Sequence, residues 1–220
     1  MTRSTFPLLL GGTNAELSLA ALDRCPTDVV QTARRYYFEA HQSLLGRDLG
    51  PHLLVDKNPN HASLLAGFCR MLPESKYLIA IRDPRDVIVS TYMRFFSVTE
   101  FSASYLSWES IIGLYIHEMN VLLRMRGLLG ERWIPVKYEE LVEDFDTTSQ
   151  RLAGQLGIAF DPAMQQYRRQ EQRHVNSPTH AEVRKPLFGS SIGRWRNYER
   201  FLAPLLPKLA PALREFGYEA

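Results

Sequence analysis

The chain has 220 residues, of which 45% are hydrophobic and 23% charged. That composition excludes a disordered, collagenous or low-complexity chain, and the length is enough to bury a core without covalent staples. Lys and Arg number 26 against 24 Asp and Glu, a formal net charge of +2. The balance excludes a dedicated nucleic-acid binder while leaving room for a local cluster of cations around a small anion.

Cys25 and Cys69 are the two cysteines, too few for a disulfide framework or a four-cysteine zinc site. The apolar runs Phe6–Leu10 and Tyr77–Ile81 fall far short of the ~20 residues of a spanning helix. The first is also shorter than the ~7–15 apolar residues of a secretory signal core. The expectation is a cytoplasmic protein with no membrane span and no metal.

In chain order, Thr27–Leu45 reads as an amphipathic helix, with Val29, Val30, Ala33, Tyr36, Tyr37, Ala40 and Leu44 near one face. Two strand–turn–helix units follow. Leu53–Val55 is a short strand, 56–59 a turn, and Ala62–Met71 a helix. Tyr77–Ile81 is the next strand, Arg82–Arg85 its turn, and Val87–Phe96 its helix. Short apolar strands alternating with helices predict an α/β fold with a mostly parallel sheet. Ser104–Leu129 is a long helix striped by Trp108, Ile111, Ile112, Tyr115, Met119, Leu122 and Leu123, which is simplest read as core. Trp133–Lys137 is a third strand, and Tyr138–Gly157 is mostly helix. Asp161–Arg173 reads as a polar helix, 174–191 as irregular, and the remainder as helix punctuated by proline. No repeat or linker interrupts the pattern, so one domain over residues 1–220 is expected.

Three places carry chemistry. At the end of the Tyr77–Ile81 strand stands Arg82, followed by Asp83 as a helix N-cap and Pro84 at the first helical position. A helix start there presents free N–H groups and a positive dipole end to an anion, at the strand ends where open parallel sheets bind ligands. Ser90 and Arg94, four residues apart, share a helix face. With Arg82 they form a phosphate-binding set, or else an Arg–Asp cap with Arg94 turned to solvent. The second place is Lys57, in the turn after Leu53–Val55, either a second anion contact or a solvated turn residue. The third is the stretch 168–200, with eight arginines and lysines against three glutamates. Its core, 175–191, is long and non-periodic, which suits a functional loop or a solvated basic one.

Four stretches together resemble the sulfotransferases that use 3′-phosphoadenosine 5′-phosphosulfate (PAPS), nearest to bacterial domains associated with tetratricopeptide repeats and to tyrosylprotein sulfotransferases. They are Val55–Pro59, Ile81–Asp86 with Ser90, Val136–Val142, and Val183–Glu199, in family order. The resemblance implies a P-loop-NTPase-like sulfotransferase fold. It implies transfer of a sulfuryl group from PAPS to an acceptor hydroxyl or amine, on a small molecule, a glycan or a protein tyrosine. Adenosine 3′,5′-bisphosphate is left behind, and no metal takes part. Arg82 and Ser90 take the role of the pair that binds the nucleotide's 3′-phosphate, joined by Arg94. Tyr138 lines the nucleotide site, and Lys185 returns to the phosphates, with Ser177 or Thr179 contributing from the same loop. Lys57 stands near the sulfuryl group, where a positioned cation stabilises charge growing on the bridging oxygen. The reading requires Arg82, Lys57 and Lys185 to converge on one nucleotide.

One family feature has no counterpart. The glycine-rich loop Pro-Arg/Lys-Ser-Gly-Thr-Thr, whose backbone N–H groups cradle the 5′-phosphosulfate, is replaced at best by Leu10–Asn14, which lacks its basic residue and paired hydroxyls. The acidic general base that follows it is missing too, with His61 and His117 as substitutes. The alternatives are a shortened chain, an inactive PAPS-binding or protein-interaction module, or a loop supplied by another chain. Loss of a central strand would leave sheet edges open, so either poor solubility or a homo-oligomer that covers the gap is expected. A nucleotide kinase is disfavoured because Gly-x-x-x-x-Gly-Lys-Ser/Thr is absent.

Overall fold

The computed structural model describes residues 19–57, 62–94, 102–164 and 189–219. The chain divides into two compact units, one of Met1–Ser75 with Asn120–Gly130 and one of Lys76–Met119 with Glu131–Ala220.

In the first unit α1 (Leu19–Arg24) and α2 (Thr27–Leu45) pack on α3 (Leu65–Met71), which a 3-10 turn at Ala62–Leu64 precedes. The helix over Thr27–Leu45 has the bounds read from the sequence and ends at Gly46, whose φ of 63° supplies the left-handed C-cap. Val30, Ala33 and Tyr37 are its buried residues, spaced as one helical stripe. Tyr36, expected on that stripe, is exposed because it lies about 100° around the helix from Tyr37, while Leu44, two turns after Tyr37 on the same line, is exposed at the end of the helix. Arg34 grips both carboxylate oxygens of Glu74 and donates to the Met71 carbonyl at 3.1 Å, fastening α2 to the end of α3.

The expected strand at Leu53–Val55 does not form. Residues 52–57 have no regular secondary structure, and Leu53 and Val55 are 65% and 75% exposed. An apolar run becomes a strand only when a partner accepts its backbone groups, and no neighbouring strand does so among the described residues.

The second unit holds β1 (Tyr77–Ile81) and β2 (Trp133–Lys137), which pair in parallel with Tyr77 opposite Trp133 and Ile81 opposite Lys137. β1 leads into α4 (Pro84–Tyr92), and α5 (Trp108–Leu129) follows, with its residues up to Met119 in this unit. β2 leads directly into α6 (Tyr138–Glu143) and α7 (Phe145–Leu156). The single helix expected over Tyr138–Gly157 is broken at Asp144, whose carboxylate accepts from the Thr147 N–H and starts α7 afresh. Of the polar helix expected at Asp161–Arg173, the described part is one short turn at 162–164. The chain closes with α8 (Glu199–Leu202) and α9 (Leu206–Glu215).

The unit's core gathers Ile88 and Val89 of α4, Ile111 and Ile112 of α5, Trp195, and Leu202, Leu205, Leu209 and Leu213. Leu209 and Leu213 are buried four residues apart on α9, which packs against α4. In this way the last helix covers the helix that carries Ser90.

Two stability predictions follow from these contacts. Leu209 is fully buried, so Leu209→Ala is expected to cost about 2–5 kcal/mol in urea unfolding. Glu74 is held below the usual carboxyl range by its hydrogen bonds from Arg34. A depressed native value gives stability that is present above the unfolded value and is lost as pH falls through the native one. Because the pair is largely exposed, Glu74→Gln should cost under ~1 kcal/mol at pH 7. The gap between the two proteins should close as pH drops below about 4.

Candidate anion-binding site at the end of the parallel strands

The register of the two strands builds the site. Ile81 faces Lys137, so the next residue of each chain, Arg82 and Tyr138, emerge side by side at the carboxyl ends. The Arg82 guanidinium lies 5.0 Å from the centre of the Tyr138 ring, a cation–π contact. One Arg82 Nη donates to the Ser191 carbonyl and stands 3.9 Å from Asp86 Oδ2. Arg82 Nε is buried and has no acceptor among the described residues. An arginine so held has lost much of its rotamer freedom before any ligand arrives.

Asp83 caps α4 as the sequence predicts, accepting from the Arg85 N–H at 2.9 Å, with Pro84 at the first helical position. Its carboxylate also chelates the Arg85 side chain, through Nε at 3.0 Å and Nη at 2.8 Å. Arg85 in turn lies 4.1 Å from the Trp195 ring centre. The helix N-terminus expected to receive the anion therefore already has one, the Asp83 carboxylate. The open space lies further along the helix, where a hollow of about 120 Å³ is lined by Arg82, Val87, Ser90, Thr91 and Arg94. Asp83 and Arg85 form a cap pair and Arg94 is exposed, while Arg82, Ser90 and Arg94 line one hollow.

Two carboxylates that the sequence left unassigned hold this corner together. Asp86, 1% exposed, accepts from the backbone N–H groups of Gly193 at 2.7 Å and Trp195 at 2.8 Å. Burial pushes its carboxyl up, and those two bonds and Arg82 pull it back. Gly193 sits at φ 70°, a left-handed turn that lets its N–H point back at α4. The clamp fixes the segment whose Ser191 carbonyl meets Arg82. Glu139 of α6 accepts from the Asp83 N–H at 2.9 Å and from the Tyr218 hydroxyl at 2.8 Å. Burial, then this bond, hold the Tyr218 hydroxyl well above its usual range. A sequence signal for both exists only in hindsight: each is an acid inside a motif already credited to binding.

Of the other expected site residues, Lys57 stands exposed at the end of the irregular run in the first unit. Lys185, Thr179, Ser177 and His61 lie outside the described residues, as does Leu10–Asn14. His117 is exposed on α5. Beyond Ser90, Tyr92 stacks on Trp108 with ring centres 4.0 Å apart.

The model of the family described as "Sulfotransferase family" matches residues 10–162. The chain belongs to the sulfotransferase family. Among solved structures, a sulfotransferase domain from the curacin biosynthetic pathway shares the fold with a TM-score of 0.63 and 18% identity, over 99% of this chain and 78% of that one. The α/β sulfotransferase fold expected from the sequence is thereby shown, with a mostly helical body around the small parallel sheet. An uncharacterised protein of Aquifex aeolicus (strain VF5) is 22% identical over 188 residues, covering 85% of this chain. The chain spans about a quarter of that relative, 24% of its length. Among the described residues no helix is long and apolar enough to cross a membrane, and no group of three or more His, Cys, Asp or Glu could hold a metal ion.

The clamp gives a direct prediction. Asp86→Ala strips two buried N–H groups of their acceptor, so unfolding stability should drop by about 3 kcal/mol. Hydrogen exchange at the Gly193 and Trp195 amides should accelerate well beyond that of the β1 amides.

Proposed function

We propose that this chain transfers a sulfuryl group from PAPS to an acceptor hydroxyl or amine, and that the hollow beside α4 is its seat for the nucleotide's 3′-phosphate. The observation that carries the reading is the meeting of Arg82, Ser90 and Arg94 around one hollow in a chain that matches the sulfotransferase family.

The residues fit the group. A phosphomonoester carries about −1.5 to −2 charges near pH 7. Arg82 and Arg94 bring two positive charges, and Ser90 brings a hydroxyl donor. Charge-assisted hydrogen bonds from the two guanidinium groups to phosphate oxygens are stronger than neutral ones. Tyr138 supports the guanidinium from below and lines the same corner. When bound, the nucleotide supplies the activated sulfuryl group and leaves as adenosine 3′,5′-bisphosphate. Lys57 is assigned to the charge that grows on the bridging oxygen, and Lys185 and Thr179 to the nucleotide phosphates, as the family resemblance implies. The missing glycine-rich loop favours a second reading, a nucleotide-binding module without turnover.

Thermal shift with adenosine 3′,5′-bisphosphate tests the seat. At a hundredfold excess over Kd the ligand adds about 2.7 kcal/mol, a rise of roughly 5–10 °C for a chain of this size. Arg82→Ala should abolish the rise, and Ser90→Ala and Arg94→Ala should shrink it. A rise that survives Arg82→Ala removes Arg82 from the site. Transfer from labelled PAPS tests the chemistry. Lys57→Ala should lower kcat by about 10²–10³-fold with the thermal shift intact, and binding without transfer establishes the second reading.

A further inference from the structure

The run 52–57 is an odd platform for a residue that must be placed to within a fraction of an ångström. It has no regular structure. Among the described residues no backbone N–H from Leu53 to Lys57 donates to a backbone carbonyl, and Leu53 and Val55 are turned to solvent. One strong tie reaches it from the core of the first unit. Tyr37, 4% exposed, donates its hydroxyl to Asp56 Oδ2 at 2.9 Å. The Tyr37 ring is itself fixed, with Phe68 of α3 edge-on at 5.9 Å, Phe38 edge-on at 5.5 Å and the His41 ring at 4.3 Å. His41 is held in turn by its Nδ1 against the Tyr37 carbonyl at 2.8 Å. A rigid, packed ring thus delivers one hydroxyl to a carboxylate that is otherwise exposed.

We propose that Tyr37 is a positioning residue for Lys57, acting through Asp56. With Asp56 tied to α2, its neighbour Lys57 is one peptide link from a fixed point, which limits where its ammonium group can stand. Packing alone would be served by phenylalanine, so the hydroxyl is the part that carries this role. Burial, and then the bond to Asp56, hold that hydroxyl far above its usual range. It therefore stays a donor throughout the physiological range, and the tether does not loosen with pH. The inference rests on the assignment of Lys57 to the sulfuryl end, and its test is built to separate the two.

Tyr37→Phe keeps the ring and removes the tether. In steady-state transfer from PAPS it is expected to lower kcat roughly tenfold, since small displacements of a catalytic group are costly. Affinity for adenosine 3′,5′-bisphosphate should stay within about twofold. On a Lys57→Ala background Tyr37→Phe should change kcat no further, because the group it positions is gone. Asp56→Ala should reproduce Tyr37→Phe, while Asp56→Asn, which keeps an acceptor for the hydroxyl, should recover most of the rate. An unchanged kcat in Tyr37→Phe, or a full additional loss on the Lys57→Ala background, overturns the proposal. A second readout needs no turnover: the rate of reductive methylation at Lys57 relative to the exposed Lys208, followed by mass spectrometry. Tyr37→Phe should change that ratio at least threefold, and an unchanged ratio overturns the proposal. If the unaltered chain binds nucleotide yet transfers nothing, the assignment of the reaction fails alone, and the labelling ratio decides the tether.

Discussion

The parallel register of β1 and β2 is the constraint on which the second unit's chemistry depends. Parallel strands end at the same edge, so the residues that follow them become neighbours however far apart they are in sequence. Ile81 opposite Lys137 means that Arg82 can only emerge next to Tyr138. A slip of one residue would put the pair on opposite faces, and the guanidinium would lose its ring, its carbonyl and its place beside Ser90. A helix begins directly after β2 and two residues after β1, which leaves little slack to correct such an error.

Around that edge, charged residues of one short motif divide into two kinds of work. Asp83 and Arg85 satisfy each other and the helix end, and Asp86 holds the 193–195 turn against α4. All three are buried. Arg82 and Arg94 keep capacity for a ligand at the hollow. The buried carboxylates are tolerated because backbone N–H groups and arginines complete their hydrogen bonds, and they give Arg82 a fixed setting that a flexible surface arginine lacks. Asp86, 3.9 Å from the Arg82 guanidinium, also offsets part of its positive charge.

The fold was legible where local rules decide it. The Thr27–Leu45 helix, the strands Tyr77–Ile81 and Trp133–Lys137, and the Asp83–Pro84 helix start could all be read from periodicity and capping. Leu53–Val55 was misread because an apolar run looks the same whether or not a partner strand exists, and pairing is not a local property. The Asp83 cap was readable from its place before Pro84, and the structure adds that the same carboxylate also takes the Arg85 side chain. Asp86, Glu139 and the Tyr37–Asp56 bond were invisible for a further reason. Each joins residues between 19 and 109 positions apart, and nothing in a single sequence marks such partners.

Glu139 joins two places that chain order keeps apart. One of its oxygens accepts from the Asp83 N–H at the start of α4, and the other accepts from the Tyr218 hydroxyl, 79 positions further on. A single carboxylate thus couples the helix start to the segment around residue 218, and local opening at either place costs the other a hydrogen bond, so the two open as one cooperative unit.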